Sequence, residues 1–269
     1  MIEVKLNDDL YFNIIGINET GKMIIDSVND KYFESVLDDL NNKRCYRYLY
    51  PNWDYEIRPL GNFHINKYYI NNILEIDNIR NNYFTIIAYD NNDYELANKI
   101  SKKLDISPFL NIGICINGNK NIDNLKVIET SFEEAKDIII NLILHLLPIR
   151  GSITTEDAYK DFFETGYKYK AFNLIAKSIL NEQKELENKI VNIKDNMIDA
   201  SALVGTNHPW SLMDQAKMFY TIRSRFGDDY KGFYGLTDSY MDDEIVTIIY
   251  KIKEWLLWQL KKQEAHLLI

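Results

Sequence analysis

Asp242-Asp243-Glu244-Ile245-Val246-Thr247-Ile248-Ile249-Tyr250, continuing through Lys251 to Lys262, is the stretch on which the fold turns. Ile245, Ile249, Ile252 and Leu256 recur at helical spacing, with acids before them and lysines after, the charge order that suits a helix dipole. Ile245-Val246-Thr247-Ile248-Ile249 is equally a β-branched run suited to a strand. Periodicity alone does not separate the two, so at this point residues 242–262 stay open between helix and strand.

Working back from there, Gly227, Gly232 and Gly235 mark turns around a short Phe233-Tyr234 strand. A helix is expected over Ser211–Phe226, capped by Ser211 or Asn207 with Pro209 near its start. Ala200-Ser201-Ala202-Leu203-Val204 reads as a strand. Between Ala171 and Asp195 the spacing predicts a long amphipathic helix, with Ile179, Leu186 and Ile193 on one seam. Three such repeats are too few to require a coiled coil. Ser131–Leu147 is a strongly apolar helix with Ser131 as N-cap and Glu133 and Glu134 at its positive end. Pro148 and Gly151 stop it, and its apolarity places it centrally, buried on most sides. Thr154 or Thr155 would cap a further helix running through Phe162.

The first half alternates short apolar runs with helix-period segments, the mark of βα units on a mostly parallel sheet. Strands are expected at Phe12–Ile17, Tyr83–Tyr89, Leu110–Ile116 and, very short, at Val127-Ile128. Helices are expected at Lys22–Leu40 and Asp93–Leu104, and Asn117-Gly118-Asn119 is a turn.

Composition narrows the functions. Of 269 residues 46% are hydrophobic and 26% charged, the balance of a packed globular chain. A net charge of -9 argues against general binding to a nucleic-acid backbone, which needs clustered cations. Cys45 and Cys115 are too few for a disulfide framework, and the N-terminus lacks a secretory layout. The longest apolar run, Ile138–Ile149, is interrupted by Asn141, His145 and Pro148. The expectation is a cytoplasmic protein without stable membrane insertion. Glycine totals only 11, few for a chain that must build phosphate loops.

The order of elements resembles the FtsZ/tubulin family. Phe12-Asn13-Ile14-Ile15-Gly16-Ile17-Asn18-Glu19-Thr20-Gly21-Lys22, followed by Ile24-Ile25-Asp26-Ser27-Val28, is similar to the opening strand, first loop and first helix of FtsZ. In FtsZ that loop is a run of glycines around the nucleotide phosphates; here Gly16 and Gly21 remain, with Asn18 and Glu19 between them. Thr85-Ile86-Ile87-Ala88-Tyr89-Asp90-Asn91-Asn92-Asp93 falls where the family carries a GGGTGTG-like loop, and none of those glycines is present. Ser131–Leu147 resembles the central helix that joins the two FtsZ domains. Gly151–Ala158 falls at the loop that supplies acids to the neighbouring subunit's nucleotide, with Thr154 and Glu156 in place of the usual Asn and Asp. Ser211-Leu212-Met213, Tyr234-Gly235-Leu236 and Asp242–Ile249 resemble the C-terminal domain, in which the last set is a strand.

The resemblance implies an α/β fold of FtsZ/tubulin type, a mostly parallel sheet flanked by helices. It divides the chain into a nucleotide-binding-like domain at 1–130 with degenerate loops, a central helix at 131–150 and a smaller α+β domain at 151–269. The loop residues Gly16, Asn18, Glu19, Gly21, Asp90, Asn91, Asn92 and Asp93 would make a poor cradle for a triphosphate. Side chains crowd the approach to the backbone, and like charges near 4 Å repel by about 4 kcal/mol at an effective dielectric of 20. No cofactor and no metal are therefore expected, although Glu19, Asp90 and Asp93 are the residues that a bridging Mg²⁺ or Ca²⁺ would use. Lys22 is the one nearby cation that a phosphate could meet.

Other chemistry is sparse. His64, His145, His208 and His266 show no metal-ligand spacing, His145 reads as a hydrogen-bonded core residue, and Cys115 as inert packing. Nothing in the sequence brings Cys45 and His64 together as a nucleophile and base. The aromatic run Tyr46–Tyr55, with Tyr48 and Trp53, suits an interface, a pocket or half-buried β-structure. The resemblance thus implies a protein that has lost GTP hydrolysis and works by self-assembly or by binding another FtsZ/tubulin-like protein. Thr154, Glu156, Asp157, Tyr48 and Trp53 would be its contact residues. Two alternatives stay open: a divergent filament-forming GTPase of cell-division or DNA-segregation type, with Glu156 and Asp161 activating water, and an enzyme on a generic α/β fold.

Overall fold

The computed structural model describes residues 10–31, 33–34, 37–38, 62–79, 84–104, 111–118, 120–122, 124–146, 162–163, 167–175, 197–206, 212–226, 234–238 and 245–253. Among them the strands are β1 (Leu10–Ile17), β2 (Phe63–Ile70), β3 (Phe84–Asp90), β4 (Asn111–Ile116), β5 (Lys126–Thr130), β6 (Tyr167–Ile175), β7 (Met197–Thr206), β8 (Tyr234–Asp238) and β9 (Ile245–Lys253). The helices are α1 (Asn18–Ser27), α2 (Tyr94–Lys103), α3 (Phe132–Leu146) and α4 (Leu212–Phe226).

All nine strands form one sheet in the order β2-β1-β3-β4-β5-β6-β9-β7-β8. Neighbours are parallel except where β9 is involved, which runs antiparallel to both β6 and β7. Residues 245–253 are therefore a strand, and an interior one. From Val246 to Ile252 every side chain is buried. Burial on both faces removes the alternation that usually marks a strand, which is why the helical reading stayed viable in the sequence.

The two faces of the sheet are covered by different helices. Phe12, Ile14, Ile86, Ile114, Ile128, Tyr169, Ala171 and Ile249 point to the face that carries α1 and α3. Ile15, Ile17, Ile87, Tyr89, Cys115 and Val127 point to the opposite face, where Ala97 and Ile100 of α2 pack. Helix α3 is buried continuously from Ile138 to His145, as the apolarity of its sequence predicted. It touches β4 and α1 on one side and β6, β7, β8 and β9 on the other, so it lies across the middle of the sheet. The join beneath it is narrow, because β5 pairs with β6 only through Ile128↔Tyr169 and Glu129↔Lys170.

Three readings need correction. The first helix spans Asn18–Ser27, not Lys22–Leu40: the chain turns straight from β1 into α1, and at Val28 the backbone is extended, so the expected helix is broken there. Ala171–Ile175 belong to β6, not to a helix; Ala171 and Phe172 are both buried, on opposite faces, which mimics helical spacing over so short a span. The remainder of that expected helix, 176–195, lies outside the described residues. Strand β2 was not foreseen, since Phe63-His64-Ile65-Asn66-Lys67-Tyr68-Tyr69-Ile70 mixes polar and apolar residues at the sheet edge.

Candidate functional site

The chain moves from β1 outward to β2, then returns to lay β3 on the other side of β1. That reversal is a topological switch point, and in open α/β sheets the crevice at the carboxyl ends of such strands is where ligands bind. The turns that follow β1, β3 and β4 meet at this end of the sheet.

Gly16 and Gly21 serve packing there. A Cβ on Gly21 would stand 2.4 Å from the carbonyl oxygen of Ala88, and one on Gly16 would stand 2.6 Å from the carbonyl oxygen of Gly21. The pair lets the first turn of α1 press directly on β1 and β3. Their hydrogen-only surfaces are thus turned inward.

Asn18 makes the strand-to-helix turn at φ 52°, a left-handed conformation that Asn tolerates better than most residues with a side chain. Its Nδ2 donates to Asp93 Oδ1 at 2.5 Å, spanning the crevice between β1 and β3. A carboxylate of the protein itself therefore stands at the first residue of α1, at the positive end of the helix dipole. Asp90 uses both oxygens: Oδ1 accepts from the Asn92 N–H at 2.9 Å, and Oδ2 accepts from Asn117 Nδ2 at 3.0 Å. The first bond caps the short 3-10 turn Asn91–Asp93, and the second ties it to the turn after β4, where Asn117 has φ 63°. Asn91 lies against Gly118, on which a Cβ would fall 2.3 Å from the Asn91 side chain. The buried Asn91 Oδ1 has no hydrogen-bond partner among the described residues.

Of the eight loop residues singled out from sequence, the fold brings all to this end of the sheet and pairs Asn18 with Asp93. Glu19 and Asn92 remain exposed. Among the described residues no group of three acids, histidines or cysteines is placed to hold a metal. Lys22 is turned away to Asp26, four residues along α1, and its ammonium lies 5.2 Å from the centre of the Tyr69 ring. Hydrogen bonds from Lys22 and from Tyr69 hold the Asp26 carboxyl below its ordinary range. Asn117 was read only as a turn residue; the Asp-x-Asn spacing of Asp90 and Asn92 was the available sign of a side-chain-capped turn.

The other candidates separate. His145 is buried, with Nδ1 2.7 Å from the Asn141 carbonyl oxygen, in keeping with a core role. His64 stacks on Tyr11 with ring centres 5.2 Å apart. Burial pushes the Cys115 thiol from 9.0 up to about 12. In a Cys45→Ser background, Cys115 is expected to resist thiol reagents at about pH 8 in the native state and to react once unfolded. The unfolded thiol ionises from about pH 9 while the folded one stays protonated, so this group's stabilising share is full below pH 9 and falls as pH rises toward 12. Rapid native labelling would contradict the buried placement. Cys45, Tyr48, Trp53, Thr154, Glu156, Asp157 and Asp161 lie outside the described residues.

No protein-family model and no curated protein matches this chain. Solved structures do. A single-substitution variant of FtsZ from M. jannaschii is 10% identical, with a TM-score of 0.54, and the match covers 91% of this chain and 91% of that one. An empty FtsZ dimer from the same organism is also 10% identical, with a TM-score of 0.51 and coverage of 90% and 88%. Identity this low speaks for the fold alone. The chain has the fold of the FtsZ/tubulin structural family.

Proposed function

We propose that this protein is an FtsZ/tubulin-like protein that does not hydrolyse GTP and works through assembly, with itself or with a filament of a related protein. The observation that carries the reading is the Asn18–Asp93 hydrogen bond across the switch point. A triphosphate entering there would have to displace this bond and meet Asp93, Asp90 and Glu19 together. Each like-charge contact near 4 Å costs about 4 kcal/mol at an effective dielectric of 20. Gly16 and Gly21 offer no open backbone in compensation, since their free faces are used against β3 and against each other. Contacts between subunits need none of these groups, so packing surfaces can persist where phosphate binding has been lost. Thr154, Glu156, Asp157, Tyr48 and Trp53 are the contact residues under this reading.

Calorimetry with GTP at millimolar concentration and Mg²⁺ is expected to give no saturable heat, while sedimentation gives the same assembly with and without nucleotide. Saturable binding would overturn the reading. One observation favours a second reading, a divergent GTPase: the N-terminus of α1 does sit at the switch point, where nucleotides bind in open α/β sheets. On that view Glu156 and Asp161 activate water, and Glu156→Ala abolishes turnover.

A further inference from the structure

Among the described residues, a line of polar contacts runs through the largely apolar packing of α3 on the sheet. Glu134 and Asn141 are seven residues apart, hence on one face of α3 two turns from each other. Between them on the sheet lies a cross-strand pair, Asn173 of β6 and Thr247 of β9. Asn141 Nδ2 donates to Thr247 Oγ1 at 2.8 Å and to the Ile245 carbonyl oxygen at 3.3 Å. The Thr247 hydroxyl passes its own hydrogen to Asn173 Oδ1 at 2.7 Å. Asn173 returns to the helix twice, from its N–H to Glu134 Oε1 at 3.3 Å and from Nδ2 to the Glu134 carbonyl oxygen at 2.9 Å. Ser131 Oγ, just ahead of the helix, completes the line on Glu134 Oε2 at 3.2 Å. Donors and acceptors agree at every step, with Thr247 accepting from the helix and donating along the sheet.

We propose that this ladder is a register lock that fixes the axial position of α3 on β6 and β9, with Thr247 as its positioning residue. Apolar contacts do not distinguish one helical turn from the next, because Ile138, Ile139, Leu142 and Ile143 offer equivalent surface after a shift of about 5.4 Å. The ladder does distinguish them. Asn141 Oδ1 is already buried without a partner among the described residues; after such a slip Asn141 Nδ2 and the Thr247 hydroxyl, on two fully buried residues, would lose theirs as well, and a buried polar group without a partner is strongly disfavoured. Fixing register is the best-attested use of a polar group buried inside an apolar helix contact. The consequence reaches further only under the function proposed above. Helix α3 precedes in sequence the segment that carries Thr154, Glu156 and Asp157, the contact residues of that reading.

The test compares Thr247→Val, which keeps the shape and removes the hydroxyl, with Thr247→Ser, which keeps the hydroxyl. Amide hydrogen exchange of the full-length chain is followed in peptides covering α3. Valine is expected to speed exchange by about tenfold or more, with serine staying within about threefold of the parent. Valine indistinguishable from the parent overturns the lock, and so does serine as disturbed as valine. If the valine protein does not fold, Asn141→Leu with Thr247→Val restores an apolar contact. Native melting with fast α3 exchange in that double variant supports the lock; native melting with parental exchange overturns it. Assembly by sedimentation is scored separately. Fast exchange with unchanged assembly keeps the lock and shows that assembly does not depend on it.

Discussion

Gly21→Ala is expected to cost about 3 kcal/mol or more, a large share of an ordinary domain's stability, and to lower the urea midpoint sharply. The added methyl would lie 2.4 Å from the Ala88 carbonyl oxygen and within 2.9 Å of Gly16 backbone atoms. No side chain can rotate away, since every one of these contacts is main chain. Relief requires α1 to lift off β1 and β3, which would expose Ile24 and Ile25, both fully buried now. Lifting also parts Asn18 from Asp93. Circular dichroism and urea unfolding of the purified variant check this. The opposite hypothesis, that Gly21 is kept open for a ligand's phosphate, predicts a folded variant with changed binding only. A Gly21→Ala protein with parental unfolding would show that the first turn of α1 has room to spare.

How far the fold could be read from sequence depended on how many faces each element buries. Phe84–Asp90 and Asn111–Ile116 sit inside the parallel sheet, so their apolar runs were plain. Ser131 with Glu133 and Glu134 announced the start of α3, and Ser131 does stand at its head. Strand β2 hid because it lies at the sheet edge and carries His64, Asn66 and Lys67 among its apolar residues. Strand β9 hid for the opposite reason, since burial on both faces erased its alternation. The family-like order of elements pointed to a strand there, while periodicity left residues 242–262 open.

The candidate site was legible as a set of residues and not as an arrangement. Local rules suggest that Asp90 can cap its own turn at Asn92, because the two are near in sequence. No local rule joins Asn18 to Asp93, which lie 75 residues apart. Their meeting follows from the placement of β3 beside β1, a property of the whole sheet. The role of the glycines was likewise hidden. Gly16 and Gly21 resembled remnants of a phosphate loop, yet what decides their use is the closeness of α1 to the sheet, which only three dimensions contain.

Aspartate at two isoleucines of the same paired strands should have opposite outcomes. Ile249 of β9 is fully buried against α3, opposite Ala171 in register, whereas Ile175 at the end of β6 is 43% exposed. Ile249→Asp places a carboxylate in the apolar cluster that also holds Ile138, Ile139, Leu142 and Tyr169. Either the charge is buried unpaired or the acid is held protonated, and both routes cost several kcal/mol. That removes much of the stability of an ordinary domain, so the variant is expected to unfold at far lower urea or to aggregate. Ile175→Asp changes an already wetted position and should fall within about 1 kcal/mol of the parent. Urea midpoints of the two variants measure the contrast. Had residues 245–253 been a surface helix, Ile249 would be one apolar position among several and the two aspartates would be tolerated alike. Equal midpoints would therefore remove β9 from the centre of the sheet, and with it the strand pairing that joins the C-terminal third of the chain to α3.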